Sequence, residues 1–499
     1  MKFSVIRRCV LFILLGAFLS ACRVQVSTTE GGSVQTVSGN YFCGADEECF
    51  AVEVTDTDFD ETFIAVPDSG FKFAGWRTRN RGLCGGSLDD CRLFTSGFVG
   101  NDTLLAFLAS DEEFFLEAVF EERPLELSGD DARRAVLADI GEKIFLPALR
   151  DFETRAVALQ ASTAALAANP SDASALASAQ SEWRMTMNVW QRNEVFQVGP
   201  AGRSTNPDAV AGGQDFRDLI YSWPFTLNTC ALEAAAAAGD LVNGATPINI
   251  TGLGALEQLL FIDVTPASCT TTADAAARAA HSNRLAERVL ILATALRERW
   301  EPSEDNFLAQ WSTAGLDSSV VYSRPQDALD ALSIALFYVE KSTKDRKIAL
   351  PTGIPVSGFE CADPVACPEF LESPISASSG ANLLANVRAF RDVFTGVAGG
   401  YGVNDLLIGI DRKDLADELI EALDVVIADL QAIEAGIGFD AEVAAIADAT
   451  DCVNAAVNSS GIPPCALQGT IKTAMDIFRA PIVSALGLAI PTAAAGDND

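Results

Sequence analysis

The sequence predicts a mainly α-helical protein that is preceded by a small disulfide-stapled β module. Three observations predict it. Apolar residues recur at helical spacing from about residue 125 onward, and short β-rich runs are confined to residues 40–122. The 12 cysteines fall largely in neighbouring pairs. A length of 499 residues favours more than one domain, and a hydrophobic content of 49% is enough for complete cores.

The first 21 residues are typical of an export signal. A basic start with Arg7 and Arg8 precedes a short apolar run, residues 9–18, which ends in Leu19-Ser20-Ala21-Cys22. This tetrad resembles a bacterial lipobox, in which the cysteine carries a lipid and becomes the new N-terminus. An ordinary secretory signal with an incidental cysteine is the alternative.

The lipobox predicts a lipoprotein of the cell envelope that is anchored to a membrane through Cys22. The next residue is Arg23 rather than an aspartate, which favours the outer membrane in a Gram-negative host, with the protein facing the periplasm or the surface. We assign residues 22–39 to an anchor and linker.

Residues 40–122 are predicted to form a small β module. Four short runs rich in aromatic and β-branched residues are candidate strands, at residues 50–54, 62–66, 104–108 and 114–120. The stretch from Ala65 to Trp76, with the segment up to Phe120, resembles divergent bacterial repeats similar to the internalin B-repeat. That resemblance implies a β-grasp-like spacer or interaction unit, with Phe73 and Trp76 in its core.

Ten cysteines remain once Cys9 and Cys22 are set aside. In an exported chain such a locally paired set predicts disulfides, because the compartment is oxidising. Zinc ligation is the alternative, but no pair has zinc-site spacing and the chain has one histidine. The predicted pairs are Cys43/Cys49, Cys84/Cys91, Cys230/Cys269, Cys361/Cys367 and Cys452/Cys465.

The formal net charge of −33 bears on the partners of the protein. So acidic a surface repels nucleic acid, and we expect no nucleic-acid partner. It would attract cations, although a solvated surface that maintains solubility explains the charge equally simply.

The helical body divides, in our prediction, into residues 125–302 and residues 303–499. A capping signal at residues 128–131 precedes apolar positions at helical spacing, and a second apolar stripe runs from Leu415 to Ile433. Both patterns are typical of amphipathic helices packed in a bundle. Pro147 is expected to kink one helix.

Several segments of this body resemble the imelysin peptidase family, and they occur in the order of that family. The resemblance implies two related four-helix bundles in an exported protein, in a family linked with iron uptake and classed among peptidases. An iron-uptake or envelope protein is the partner it implies. The segments are Trp190-Gln191-Arg192-Asn193-Glu194, residues 197–201, Ser222-Trp223-Pro224, residues 251–261 and residues 344–347 with Arg346, leading to Glu372-Ser373.

The signature of the family, Gly-x-His-x-x-Glu, falls on Gly252, Gly254 and Glu257. A glycine stands where the histidine is expected. Imidazole at this place, one turn before a carboxylate, would let two side chains converge on a metal. The chain is similar to imelysin-like lipoproteins that lack the histidine, so the metal arrangement of the family is in question.

The one histidine, His281, belongs to no His-Glu-x-x-His pattern. A zinc peptidase with two histidines on one helix and a serine hydrolase are therefore not expected. We predict no catalytic residue, and a peptidase remains an alternative only through the classification of the family.

The remaining candidates for chemistry are Glu194 and Glu257, both among apolar neighbours. Their oxygens suit iron or calcium, whereas zinc is not expected. In the other interpretation, each carboxylate pairs with Arg217, Arg346 or a helix N-terminus. The sequence thus suggests a non-catalytic binding lipoprotein with a cleft near Glu194, Trp223 and Glu257, and a structural or adhesive surface protein is a further alternative.

Overall fold

The computed structural model describes most of the chain after the predicted signal peptide. The described residues are 22–44, 51–55, 57–68, 71–108, 110, 112–122, 128–205, 209–262, 268–356, 366–397, 399–447, 452 and 461–492. The chain divides into two compact units between Glu121 and Glu122. Residues 1–21 lie outside the described part.

The first unit is a β module of two four-stranded sheets, with strand orders β4-β1-β8-β6 and β3-β2-β5-β7. Strand β1 is parallel to β8 and antiparallel to β4. One apolar core contains Phe73 and Trp76, as predicted. The strands are β1 Cys22–Thr28, β2 Gly32–Thr36, β3 Phe42–Cys43, β4 Ala51–Val54, β5 Asp60–Pro67, β6 Phe71–Trp76, β7 Cys91–Phe94 and β8 Glu113–Glu122.

The structure corrects two predictions for this unit. Residues 22–39, predicted as anchor and linker, contain β1 and β2, and their alternating Val24 and Val26 lie in the core. Residues 104–108, predicted as a strand, lie in the helix α1, Asp102–Leu108. The side chain of Asn101 accepts a hydrogen bond from the amide of Leu104 at 3.2 Å, and this cap favours the helix over a strand.

The second unit is helical. Its helices are α2 Gly129–Ile140, α3 Leu146–Ala168, α4 Ala173–Glu194, α5 Phe216–Ile220, α6 Thr229–Ala238, α7 Gly252–Phe261, α8 Ala275–Trp300, α9 Phe307–Ser312, α10 Pro325–Leu336, α11 Ser379–Thr395, α12 Val403–Ile408, α13 Lys413–Ala435, α14 Phe439–Ala444, α15 Pro463–Ile477 and α16 Val483–Leu486. Among the described residues, three π-helical segments interrupt the α-helical pattern: Gly141–Phe145, Val339–Ala349 and Phe478–Ile482.

The helices pack as two four-membered groups, which confirms the mainly α fold. Helices α3 and α7 each contact both α4 and α8. In the second group, α13 and the π-helical segment Val339–Ala349 each contact both α11 and α15. The contact between α4 and α11 joins the groups, and their apolar faces share one core. The predicted stripe from Leu415 to Ile433 is buried along α13.

Pro147 lies in the first turn of α3, directly after the π-helical turn Gly141–Phe145. The backbone is helical without a break from α2 through this π-helical turn into α3, and Pro147 cannot donate the backbone hydrogen bond that such a run would otherwise contain. The π-helical turn on its N-terminal side is the irregularity at Pro147.

Three predicted disulfides are present, between Cys84 and Cys91, Cys230 and Cys269, and Cys452 and Cys465. Cys43 and Cys367 are also disulfide-bonded. Their predicted partners, Cys49 and Cys361, lie outside the described residues.

None of the described helices is both long enough and apolar enough to span a membrane.

Candidate functional site

Glu194 lies at the C-terminal end of α4, with its side chain completely buried. Trp190, one turn earlier, donates its indole N–H to Oε1 of Glu194 at 2.5 Å. Arg217 of α5 donates from Nε and Nη2 to Oε2 at 3.1 and 2.9 Å. Both carboxylate oxygens are thus occupied, as the pairing interpretation predicted.

Arg217 is itself buried, and it also donates from Nη1 to Asp218 at 3.0 Å. Burial would lower the pKa of the guanidinium, but the interactions with Glu194, Tyr338 and Asp218 together outweigh it and raise that pKa. Burial also raises the pKa of Glu194, against the charges of Arg217 and Lys347. The two hydrogen bonds from Arg217 to one oxygen favour the ion pair, which ties α5 to the end of α4.

A second buried pair lies close by. Lys347, on the π-helical segment Val339–Ala349, has its Nζ 2.9 Å from Oε2 of Glu372. Lys347 also donates to Gln191 at 2.7 Å and to Asn386 at 2.9 Å. Burial lowers the pKa of this lysine, while Glu372 opposes the shift.

Glu372 accepts three further hydrogen bonds. Gln191 and Tyr221 donate to its Oε1 at 2.8 and 3.0 Å, and Asn382 donates to Oε2 at 3.1 Å. Together with Glu194, these residues connect α4, α5, α11 and the π-helical segment. Because every charge in this network is paired, its desolvation cost is largely offset.

Glu257 of α7 is buried beside this network. Its Oε1 accepts hydrogen bonds from the amide and the hydroxyl of Ser376, at 3.0 and 2.8 Å. Burial raises the pKa of Glu257 to about 7, with Glu372 acting in the same direction and Ser376 against it. This carboxyl is therefore held by neutral donors rather than by a cation.

The two glycines of the signature segment play different structural roles. Gly252 has φ +74°, and a Cβ there would lie 2.3 Å from the carbonyl oxygen of Ile220. Gly254 has no such constraint, because its Cβ would meet only the ring of Tyr221 at 3.7 Å. The backbone therefore requires glycine at position 252 but has room for a side chain at position 254.

The tryptophans of the matched segments differ in burial. Trp183 and Trp190 are completely buried core residues, and Trp183 donates its indole N–H to the carbonyl of Leu253 at 2.9 Å. Trp223 is half-buried, and the ammonium of Lys347 lies 5.3 Å from its ring. Trp223 therefore covers one side of the buried network.

His281 lies on α8, where its Nδ1 is 3.2 Å from Nη2 of Arg284. Burial and the charge of Arg284 lower the pKa of the imidazole to about 4. The side chain is thus a neutral helix-face histidine. Within the described ranges, no three or more His, Cys, Asp or Glu side chains are grouped so that they could hold a metal ion.

A cleft of about 260 Å³ opens on the other side of Arg217. Four cationic side chains line it, and the described lining residues include no acidic side chain. Arg346, predicted as a motif position, is one of the four, and burial together with the nearby charges of Arg203 and Arg217 lowers its pKa. The four are Arg203, Arg217, Lys341 and Arg346.

The sequence predicted a cleft near Glu194, Trp223 and Glu257, but none of these three residues lines this cleft, and its cationic lining was not predicted. Arg203 lies in a loop outside the matched segments, and Lys341 is the third residue of the π-helical segment Val339–Ala349, before the matched residues 344–347. The sequence contains a partial indication of the cationic cleft. Basic residues are scarce in this chain, yet four of them fall within seven positions: Lys341, Lys344, Arg346 and Lys347.

The family model Imelysin matches residues 145–460, which is more than half of the chain. A search of curated proteins gives no match.

Two solved structures share the fold. One is an iron-regulated protein A precursor from Parabacteroides distasonis, with a TM-score of 0.53 and 18% identity, over 70% of this chain and 96% of that chain. The other is an imelysin-like protein from Psychrobacter arcticum, with a TM-score of 0.54 and 15% identity, over 74% of this chain and 99% of that chain.

The signature glycines provide a matched pair of substitutions. Gly254→Ala should raise the free energy of unfolding by about 0.5–1 kcal/mol, because alanine restricts the unfolded chain and meets no close neighbour. Gly252→Ala should lower it by more than about 1 kcal/mol, because of the positive φ and the clash with Ile220. Urea unfolding followed by tryptophan fluorescence measures both, and equal effects would contradict the assigned roles.

Glu257 should make stability depend on pH. Its folded-state pKa of about 7 lies above the ordinary value of 4.5. Between these values the folded chain keeps a proton that the unfolded chain releases, so this contribution is complete below pH 4.5 and is lost as the pH rises to 7. The free energy of unfolding of Glu257→Gln, measured relative to that of wild type, should therefore rise by on the order of 3 kcal/mol from pH 4.5 to pH 8. Urea unfolding across this range tests it, and a constant difference would refute the assignment.

Proposed function

Since the chain belongs to the imelysin family, we propose that it is a non-catalytic binding protein of the cell envelope, linked with iron. Its ligand is an anionic compound, such as an iron chelate, held in the cleft between Arg203, Arg217, Lys341 and Arg346. The link with iron is supported by the name of the iron-regulated relative of the same fold.

The cationic lining of this cleft carries the proposal. The net charge of the whole chain is −33, yet the described lining residues of the cleft carry only positive charges. Arg346 lies close enough to Arg203 and Arg217 for their charges to lower its pKa. A bound anion would relieve that repulsion, and arginine forks suit carboxylate and phosphate oxygens.

The buried network explains how the cleft keeps its shape. Arg217 is held by Glu194, at 2.9 Å, and by Asp218, at 3.0 Å. Arg203 is held by the other oxygen of Asp218 at 2.9 Å. Two arginines of the wall are thus fixed through one carboxylate, so little side-chain entropy is lost when a ligand binds. Glu194 acts in this proposal as a positioning residue for Arg217.

An iron ion held directly by Glu194 and Glu257 is less well supported. Arg217 and Trp190 occupy the oxygens of Glu194, and Ser376 donates twice to Glu257. A cation in this place would have to displace a guanidinium from a buried carboxylate. A carboxylate chelate of ferric iron, which is an anion, needs no such rearrangement.

The envelope location is the second part of the proposal. It is supported by the signal-like residues 1–21 with their lipobox at Cys22, and by disulfides such as Cys230–Cys269. The lipid on Cys22 would keep the protein at a membrane, with the outer membrane favoured by Arg23.

The binding site is tested by calorimetric titration of the full chain with ferric citrate, citrate, ferrous ion and calcium ion. Wild type should bind ferric citrate, and Arg346→Gln should weaken that binding about tenfold, because one cationic partner is lost. Arg412→Gln is the matched control, since this exposed arginine pairs with Asp414 outside the cleft. It should leave the affinity unchanged.

Two results would contradict the proposal. Binding of ferrous or calcium ion that is abolished by Glu257→Ala would favour the carboxylate site over the cationic cleft. Cleavage of an unfolded protein substrate by the purified full chain would contradict the non-catalytic assignment.

A further inference from the structure

The β module contains a second cavity, of different character from the cationic cleft. Its volume is about 430 Å³, within the range of roughly 300–1,000 Å³ that small-molecule sites occupy. Apart from Cys22, Arg92 and Thr95, every described residue that lines it has a hydrocarbon side chain. Two of the lining rings, Phe94 and Phe107, are 51% and 42% exposed. The apolar lining therefore continues from the cavity onto the surface.

Cys22 is part of the wall of this cavity. Its side chain is buried, and it forms no disulfide with any described cysteine. It is also the first residue of β1, where it stands opposite Val54. The next residue, Arg23, donates its amide to the carbonyl of Glu112 at 3.0 Å. The predicted attachment point of the lipid is therefore fixed in a sheet, with no linker between it and the cavity.

We infer that this cavity holds an acyl chain of the lipid attached to Cys22. The inference rests on the lipoprotein part of the proposed function. A lipid that starts at the sulfur of Cys22 begins in the cavity wall, so one of its acyl chains can enter the apolar cavity without any movement of the protein. Phe98, on the 3₁₀ turn Ser96–Phe98, and Leu104 and Leu108, on α1, supply part of its apolar lining.

Other occupants fit the observations less well. Cleavage before Cys22 would remove the apolar run of residues 9–18, so the signal itself would not be there to fill the cavity. The occupant on Cys22 is covalently held, so its local concentration far exceeds that of any free lipid. The β module would thus lie directly at the membrane, with one acyl chain of the lipid in the cavity instead of in the bilayer.

The cavity is tested on the full-length lipoprotein from a bacterial host that has been fed a fatty acid with a diazirine near its terminal carbon. The protein is purified in detergent, irradiated and digested with trypsin. The N-terminal dipeptide Cys22-Arg23 reports by its mass whether the lipid is attached. Residues 93–133 form one peptide, with cleavage sites at Arg92 and Arg133, because Pro124 blocks cleavage after Arg123. This peptide carries eight of the lining residues, from Leu93 to Phe114.

We expect the lipidated dipeptide to be crosslinked to the peptide of residues 93–133. Leu104→Trp, which fills the cavity, should reduce this crosslinking about tenfold, because the indole takes the place of the chain. Val99→Trp is the matched control, since Val99 is 70% exposed and does not line the cavity. It should leave the crosslinking unchanged.

The outcomes separate the two proposals. A lipidated Cys22 whose label reacts only with detergent or with other peptides would overturn the cavity inference and leave the membrane anchor in place. An unmodified Cys22 would overturn both. Equal crosslinking in the Leu104→Trp protein and in wild type would also overturn the cavity inference.

Discussion

The buried ion pair between Glu194 and Arg217 is the interaction on which the helical body depends. A charge that leaves water is costly unless a partner and hydrogen bonds replace the solvent. Glu194 meets this condition with the indole of Trp190 and two guanidinium bonds. Lys347 and Glu372 form a second buried ion pair nearby, with Nζ 2.9 Å from Oε2. Removing one partner leaves an unpaired buried charge, so the network constrains the positions of α4, α5 and α11 together.

The same buried network also determines which side chains remain available to contact a ligand. A chain with histidine at position 254 would present imidazole and carboxylate on one face of α7, because positions 254 and 257 are one turn apart. Here position 254 is glycine, and Ser376 donates to Glu257 instead. The cations that the network orders, above all Arg217, face a cleft on its other side. In the proposed function, the site therefore binds an anion rather than a bare metal ion.

The fold was largely predictable from the sequence, whereas the site was predictable only in part. Helical periodicity located the stripe on α13 correctly, because a repeat of 3.6 residues reflects burial directly. The run at residues 104–108 was wrongly predicted as a strand, because a short apolar run is compatible with either a helix or a strand. The cap at Asn101 decides in favour of the helix. The partner of Glu194 was among the predicted alternatives. The cleft was not predicted, since Arg203 and Arg346 are 143 positions apart and only tertiary packing brings them together.

A double-mutant cycle on Glu194 and Arg217 tests the central claim most directly. The free energy of unfolding would be measured by urea titration for wild type, Glu194→Gln, Arg217→Met and the double variant. The account predicts that each single substitution costs about 3–5 kcal/mol and that the double variant is far less destabilised than their sum, because the partner charge is removed as well. Additive losses would contradict it, since they would show that the two side chains do not depend on each other.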